Sequence, residues 1–146
     1  MNYSYEYPRP AVTTDAILIL NENQKQFILL IQRGNQPFKD SWALPGGFVE
    51  MEEELDVACA RELNEETGIT GVQLKQFATF GSPDRDPRGR TISIVFWAVV
   101  NTRIEPKSGD DAKNAKWFLF DELPPLAFDH REIIQHFIDS RLFPIR

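Results

Sequence analysis

Three carboxylates, Glu62, Glu65 and Glu66, are the first feature of this chain that suggests chemistry. On a helix turning about 100° per residue they fall on one side, at spacings i, i+3 and i+4. Like charges at these spacings repel by roughly a few tenths of a kcal/mol per pair. They also occupy the last helical turns, where the macrodipole favours cations. A hard divalent cation reverses both penalties, because magnesium takes oxygen ligands and often shares them with substrate phosphates. The alternative is a solvated acidic face. Arg61 argues against it, since it precedes Glu65 by four residues and can pair with it, fixing the carboxylate as outer residues do around metals. The acidity is concentrated here: net charge is −6, and eight carboxylates lie between Glu50 and Glu66.

These side chains need a helix to carry them, and Glu54 to Thr67 supplies the expected one. It holds good helix formers and stops at Gly68, the usual left-handed cap. Val57, Ala60 and Leu63 lie roughly opposite the glutamates and are expected to face a sheet. Ala11 to Leu20 and Phe27 to Gln32 read as a hairpin, with a polar turn over residues 21–25. Trp42 to Val49 reads as two short extended pieces around a Gly46-Gly47 bend. Val72 to Phe80, Thr91 to Val100 and Lys116 to Phe120 are further strands. Thr91 to Val100 is apolar on both faces and is expected to be covered on both sides. Asp129 is expected to cap a closing helix running to about Arg141. Strands interleaved with two helices predict an α/β/α sandwich with a mixed sheet in one domain, residues 1–146.

Length and composition agree. A chain of 146 residues, 42% hydrophobic and 12% aromatic, can bury a core without disulfides. Cys59 is the single cysteine, which points to a reducing cytoplasm and reads as a small buried residue rather than a nucleophile. No apolar run nears the roughly 18 residues that would cross a bilayer, and the first residues lack a signal-peptide pattern. The acidic balance argues against a nucleic-acid partner. Residues 1–10, with three tyrosines and two prolines, read as an irregular arm.

The stretch from Gly47 to Ile69 resembles the Nudix box. Gly47, Glu53, Arg61, Glu62, Leu63, Glu65, Glu66, Gly68 and Ile69 fill every fixed position of that pattern. The resemblance implies a Nudix-type α/β/α sandwich and a hydrolase that cuts a diphosphate linkage in a nucleoside-diphosphate derivative. It implies that Glu62, Glu65 and Glu66 hold Mg2+ (or Mn2+) with the carbonyl of Gly46, and that Glu53 supports the cluster or binds a further ion. It also implies that Arg61 orients the glutamates and that Gly47 lets the backbone pass close to metal and phosphate.

The substrate depends on other segments. Arg85, Arg88 and Arg90 sit in a loop rich in Pro, Gly and Asp just before the central strand, and guanidinium groups match phosphate oxygens; a merely solvated loop is the alternative. Pro83, followed by the Asp86-Pro87-Arg88-Gly89-Arg90 run, is similar to the ADP-ribose pyrophosphatase branch. So are the segments Gly109 to Ala112, Trp117-Phe118 and Leu126 to His130. That likeness implies hydrolysis of ADP-ribose to AMP and ribose 5-phosphate. A nucleotide-sugar or an oxidised nucleoside triphosphate is the alternative substrate, and an ADP-ribose sensor without catalysis is the alternative class. Because the chain ends directly after the closing helix, no winged-helix DNA-binding domain is expected. The general base is open among Glu53, a box glutamate, Glu105, Asp110 and Asp111. Phe80 or Phe38 is a candidate to stack on adenine, and His130 a candidate substrate contact. Family members are often dimers, and the tyrosine arm is a place for a homodimer contact.

Overall fold

The computed structural model describes residues 2–109 and 111–146. Nine elements run in the order β1 (Ala11–Glu22), β2 (Lys25–Arg33), β3 (Trp42–Ala43), β4 (Gly46–Phe48), α1 (Leu55–Thr67), β5 (Lys75–Phe80), β6 (Thr91–Val100), β7 (Ala112–Leu119) and α2 (His130–Ser140). β1 and β2 form a hairpin whose two turn residues, Asn23 and Gln24, both have positive φ, the conformation of a turn that follows the strand twist. β1 then pairs in parallel with β6 over ten residues, while the other pairings are antiparallel. The sheet is therefore mixed, as expected.

Beyond Ile19 and Ile28 the hairpin strands part, and the chain from 42 to 48 fills the gap. Trp42 and Ala43 pair with β2, while Gly46 to Phe48 pair with β1 at Asp15 to Thr13. This wedge puts the two glycines beside the middle of the sheet. The bend expected at Gly46-Gly47 instead falls at Leu44-Pro45, and both glycines are extended within β4. Glycine is required there for space, not for φ. A Cβ on Gly46 would overlap the Thr14 carbonyl and the Asp15 carboxylate; one on Gly47 would sit 2.5 Å from Glu62 Cδ.

The sheet is sandwiched. Ala16, Leu18, Ile94, Phe96 and Ala98 pack toward Cys59, Leu63 and Ile69 on the α1 side. Ile17, Ile19 and Val95, with Trp97 and Val99, pack toward Ile133, Ile134 and Phe137 of α2. Alternation along β1 and β6 thus feeds both faces, which bears out the reading of β6 as covered on both sides.

Several details differ from the sequence reading. α1 buries Ala58, Cys59, Leu63, Glu66 and Thr67, whereas Val57 is 54% exposed and Ala60 is also exposed. The helix is rolled so that its carboxylates, rather than Val57 and Ala60, lean over β4. β5 begins at Lys75 rather than Val72, and β7 begins at Ala112 because it pairs along most of β2. Asp129 stands at the N-cap of α2 but makes no capping bond, because its carboxylate is taken by Arg85.

Candidate active site

Arg61 is the hub of the acidic cluster. Its Nε and Nη2 donate to the two oxygens of Glu53 at 2.6 and 2.9 Å, a forked pair. Nη1 donates to Glu62 Oε1 at 2.8 Å and to Glu65 Oε2 at 3.2 Å, and Nη2 also reaches the Phe48 carbonyl at 3.2 Å. The expected Arg61–Glu65 pair is present, yet the tie to Glu53 is the shorter one. That hydrogen bond, aided by the Glu50 N–H, holds the Glu53 carboxyl at about 2.

Glu66 has a different setting. It is 8% exposed, and its Oε1 accepts the Gly46 N–H at 2.8 Å. Burial, reinforced by the nearby charges of Glu62 and Asp15, pushes its carboxyl up to about 8. Glu53 and Glu66, thirteen residues apart on one loop-helix unit, thus differ in setting: Glu53 is a fixed counter-charge to Arg61, while Glu66 makes no salt bridge among the described residues.

Among the described residues, no three acidic, histidine or cysteine side chains converge closely enough to hold a metal in this arrangement. The oxygens are turned instead to Arg61 and to the Gly46 N–H. The donor set nevertheless fits a hard cation in kind. Glu62, Glu65 and Glu66 offer only carboxylate oxygens, and a guanidinium already sits among two of them. The glycine at 47 leaves the Glu62 carboxylate the room it occupies.

Arg61, Glu62 and Glu66 of the cluster line a cavity of about 510 Å3, while Glu53 and Glu65 lie outside its lining. Its lining also includes Asp15, Arg33, Phe48, Arg85, Asp86, Arg88, Asp111, Phe128 and His130. The Arg85 side chain is 4% exposed and forked onto Asp129 at 2.7 and 3.0 Å, which ties the 81–90 loop to the start of α2. Arg88 is forked onto the buried Asp86 at 2.8 and 3.1 Å, with its guanidinium against the Phe48 and Phe128 rings. Arg90 donates to the Gly81 carbonyl and lies outside the lining. The structure thus brings Arg88 to the cavity wall with its guanidinium on the rings, brings Arg85 there in a buried pair, and leaves Arg90 apart.

The other candidates separate clearly. Asp111 lines the cavity and its Oδ1 accepts from Asn35 at 3.2 Å, whereas Glu105 is exposed outside the lining; Asp110 lies outside the described residues. Phe80 packs against Phe77 and His136 away from the cavity, while Phe38 packs edge-on against Phe128. His130 accepts the Leu44 N–H on Nδ1 at 3.0 Å, which puts its proton on Nε2, 4.0 Å from Asp15 Oδ1. An imidazole that accepts at Nδ1 is the neutral form, and burial pushes its pKa down in the same direction. Cys59 is buried, and burial pushes its thiol up to about 12, which leaves it a packing residue.

Sequence reasoning missed Arg33, Asp15, Phe48 and Phe128. Arg33 makes no ion pair among the described residues; its Nε donates to the Pro37 carbonyl at 2.8 Å and its guanidinium lies 5.0 Å from the Phe128 ring. Burial and the neighbouring Arg88 lower its pKa. A charged residue closing the apolar run of β2 was a usable signal. So was Asp15, a carboxylate inside an apolar strand, buried here and accepting the Ser93 hydroxyl. Phe128 lies in the Leu126 to His130 segment that the sequence singles out, but nothing there marks it, or Phe48, from the other phenylalanines as a cavity residue.

Comparison with known proteins adds independent findings. The profile of the NUDIX domain matches residues 9–137. The chain is 49% identical over 132 residues to an ADP-ribose pyrophosphatase of Methanocaldococcus jannaschii, covering 90% of this chain and 75% of that protein. It is 40% identical over 135 residues to the ADPR responsive transcriptional repressor NtrR of Acinetobacter baylyi, covering 89% of this chain but only 54% of the repressor. Its fold superposes on the NUDIX domain of Shewanella oneidensis NrtR, solved in complex with ADP ribose, with a TM-score of 0.86 at 30% identity; 95% of this chain and 94% of that one are covered.

Proposed function

Since the chain belongs to the Nudix family and is a hydrolase of that family, we propose that it cleaves the diphosphate of ADP-ribose with water, giving AMP and ribose 5-phosphate. The observation that carries this reading is Arg61, itself tied to Glu53 and Glu65, standing with Glu62 and the buried Glu66 at Gly46-Gly47 on the wall of a cavity that also presents Arg33 and Arg88. The relative of M. jannaschii, named for that activity, supports the choice of substrate.

In this reading Glu62, Glu65 and Glu66, with the Gly46 carbonyl, hold Mg2+ or Mn2+. The bound ion supplies charge neutralisation of the diphosphate and a water activated for attack. Arg61 keeps the glutamates aligned, and Glu53 fixes Arg61. Both Glu53 oxygens are taken by Arg61 and Glu53 lies outside the cavity lining, so it serves as a positioning residue. The base is then a box glutamate or a loop acid, of which Asp111 lines the cavity. Arg88 and Arg33 bind the phosphates, and Arg85 holds the loop that carries Arg88. The setting is cytoplasmic, consistent with a single buried thiol, and no helix among the described residues is long and apolar enough to cross a membrane. A homodimer through the exposed tyrosine arm belongs to the same reading.

Product analysis tests it. ADP-ribose, a nucleotide-sugar and an oxidised nucleoside triphosphate are incubated with the protein and Mg2+, with and without a chelator. AMP and ribose 5-phosphate from ADP-ribose, abolished by chelation, are the expected result. Cleavage of one of the others alone overturns the substrate. A second reading, an ADP-ribose sensor, is favoured by the likeness to the repressor; binding of ADP-ribose without any turnover would put it first.

A further inference from the structure

His130 reads as a candidate substrate contact in the sequence, but the structure gives its ring a task inside the fold. The segment before α2 runs beside β3 as a short parallel ladder. In it the Trp42 N–H donates to the Pro125 carbonyl at 3.2 Å, and the Ala127 N–H to the Trp42 carbonyl at 2.8 Å. In a regular parallel ladder the next acceptor, facing the Leu44 N–H, is the Ala127 carbonyl. Here Phe128, at φ +52°, ends the extended run, and the Ala127 carbonyl accepts the His130 N–H at 3.1 Å as the chain turns into α2. A buried N–H needs a partner, and His130 Nδ1 supplies the one that Leu44 has lost, at 3.0 Å. The far side of the ring is set as well. Nε2 lies 4.0 Å from Asp15 Oδ1, and Asp15 Oδ2 accepts the Ser93 hydroxyl. All three residues are buried. Ser93 gives its proton to the carboxylate and not to the imidazole, so the group orients a ring rather than activating a nucleophile.

We propose that His130 is a positioning residue for the metal-binding backbone at Gly46. Leu44 stands two residues before Gly46, and Pro45 between them has no N–H with which to anchor the chain. The Pro45 carbonyl accepts the Ala16 N–H at 2.8 Å, and the Asp15 carboxylate fills the space where a Cβ on Gly46 would lie. Gly46 in turn gives its N–H to Glu66 at 2.8 Å, and its carbonyl belongs to the set proposed above to hold the ion. Gly46 is therefore held from two layers, by α1 through Glu66 and by α2 through His130 and Leu44. The line from Asp15 through His130 to Leu44 does for a backbone ligand what outer hydrogen bonds do for side-chain ligands of a metal. This inference rests on the metal reading above and extends it to a residue on the opposite face of the sheet.

An isosteric pair of variants separates the two ring nitrogens. His130→Asn carries an amide to the place of Nδ1, and His130→Gln carries one to the place of Nε2. Mn2+ is titrated without substrate into the wild type, both variants and Glu66→Gln, and free ion is read by electron paramagnetic resonance. His130→Gln is expected to bind Mn2+ at least about tenfold more weakly, the usual cost of losing an outer hydrogen bond. His130→Asn keeps the acceptor and should stay within about threefold of wild type. Phe137→Leu, a core change in the same helix, should lower the melting temperature at unchanged Mn2+ affinity, which separates positioning from stability. Equal Mn2+ affinity in the wild type and both His130 variants, or an equal loss in the two variants, overturns the proposal. So does a raised KM for ADP-ribose in His130→Gln at unchanged Mn2+ affinity, which would make His130 a substrate contact. If Glu66→Gln keeps wild-type Mn2+ affinity, the metal reading falls and the proposal with it. If Mn2+ binding responds as expected while ADP-ribose is not cleaved, the positioning role stands and only the substrate falls. Amide hydrogen exchange on the wild type gives a check that needs no variant. Leu44 and Gly46 should gain protection together on adding Mg2+, and protection of Gly46 alone would show that the two are not held as one unit.

Discussion

Arg61 is the residue on which the acidic cluster turns, because one guanidinium answers three carboxylates and a carbonyl. A lysine keeps the charge but cannot fork onto both oxygens of Glu53. Arg61→Lys is therefore expected to lower kcat/KM by about 10- to 100-fold, the usual cost of losing a group that orients ligands. Steady-state kinetics at saturating Mg2+ checks this, and unchanged kcat/KM would remove Arg61 from the positioning role. Glu66 makes a separate prediction about pH. Its carboxyl ordinarily titrates at 4.5 and in the fold at about 8. Between those values the native state binds a proton that the unfolded chain does not, so this group lowers stability as pH rises through that window. Cation binding needs the ionised form, so the rise in melting temperature on adding Mg2+ should be larger near pH 8.5 than near pH 6. A rise that shrinks with pH would contradict Glu66 as a ligand. The glutamates were legible because their spacing is local and broke two helix rules at once. Arg33, Phe48 and Phe128 were not, because they come from three separate segments and meet only through the wedge between β1 and β2.

At the scale of elements, the end of α1 was readable and its roll was not. Gly68 caps the helix at φ +75°, donating its N–H to Asn64 O at 2.8 Å. A Cβ there finds its nearest atom at 3.7 Å, so Gly68→Ala meets strain without a clash. A loss of about 1–2 kcal/mol follows from the left-handed penalty alone, to be read by urea denaturation; no loss would mean the cap relaxes. The roll escaped the helical wheel because it presumes that apolar residues choose the buried face. Here Glu66 is buried and Val57 exposed, since the Gly46 N–H gives the carboxylate a partner and the glycines give it room. Gly47→Ala tests that reason. Its Cβ would press on the Glu62 carboxylate, so activity should fall steeply while α1, β4 and the sheet survive by circular dichroism. Activity within about twofold of wild type would show that the close approach is not needed.

For the whole molecule, the sandwich followed from alternation along β1 and β6, which is a property of the chain, whereas the site follows from how the layers meet. α2 illustrates both. Phe137 is fully buried against Phe77 and Trp97, and its truncation to alanine should cost about 3–5 kcal/mol. The same helix begins at Asp129 and His130, which fix Arg85 and Leu44 at the cavity. One element thus serves both core and site, and Glu62 and Glu66, the arginine loop, Phe48 and Phe128 meet at the cavity. The most direct test of their joint purpose is kcat/KM for ADP-ribose with Mg2+ in the wild type and in Glu66→Gln, a near-isosteric change that removes only the charge. A fall of about 10²-fold or more, with AMP and ribose 5-phosphate as the wild-type products, is the expected result. A variant within a few fold of wild type would contradict a reaction that runs through the glutamate cluster.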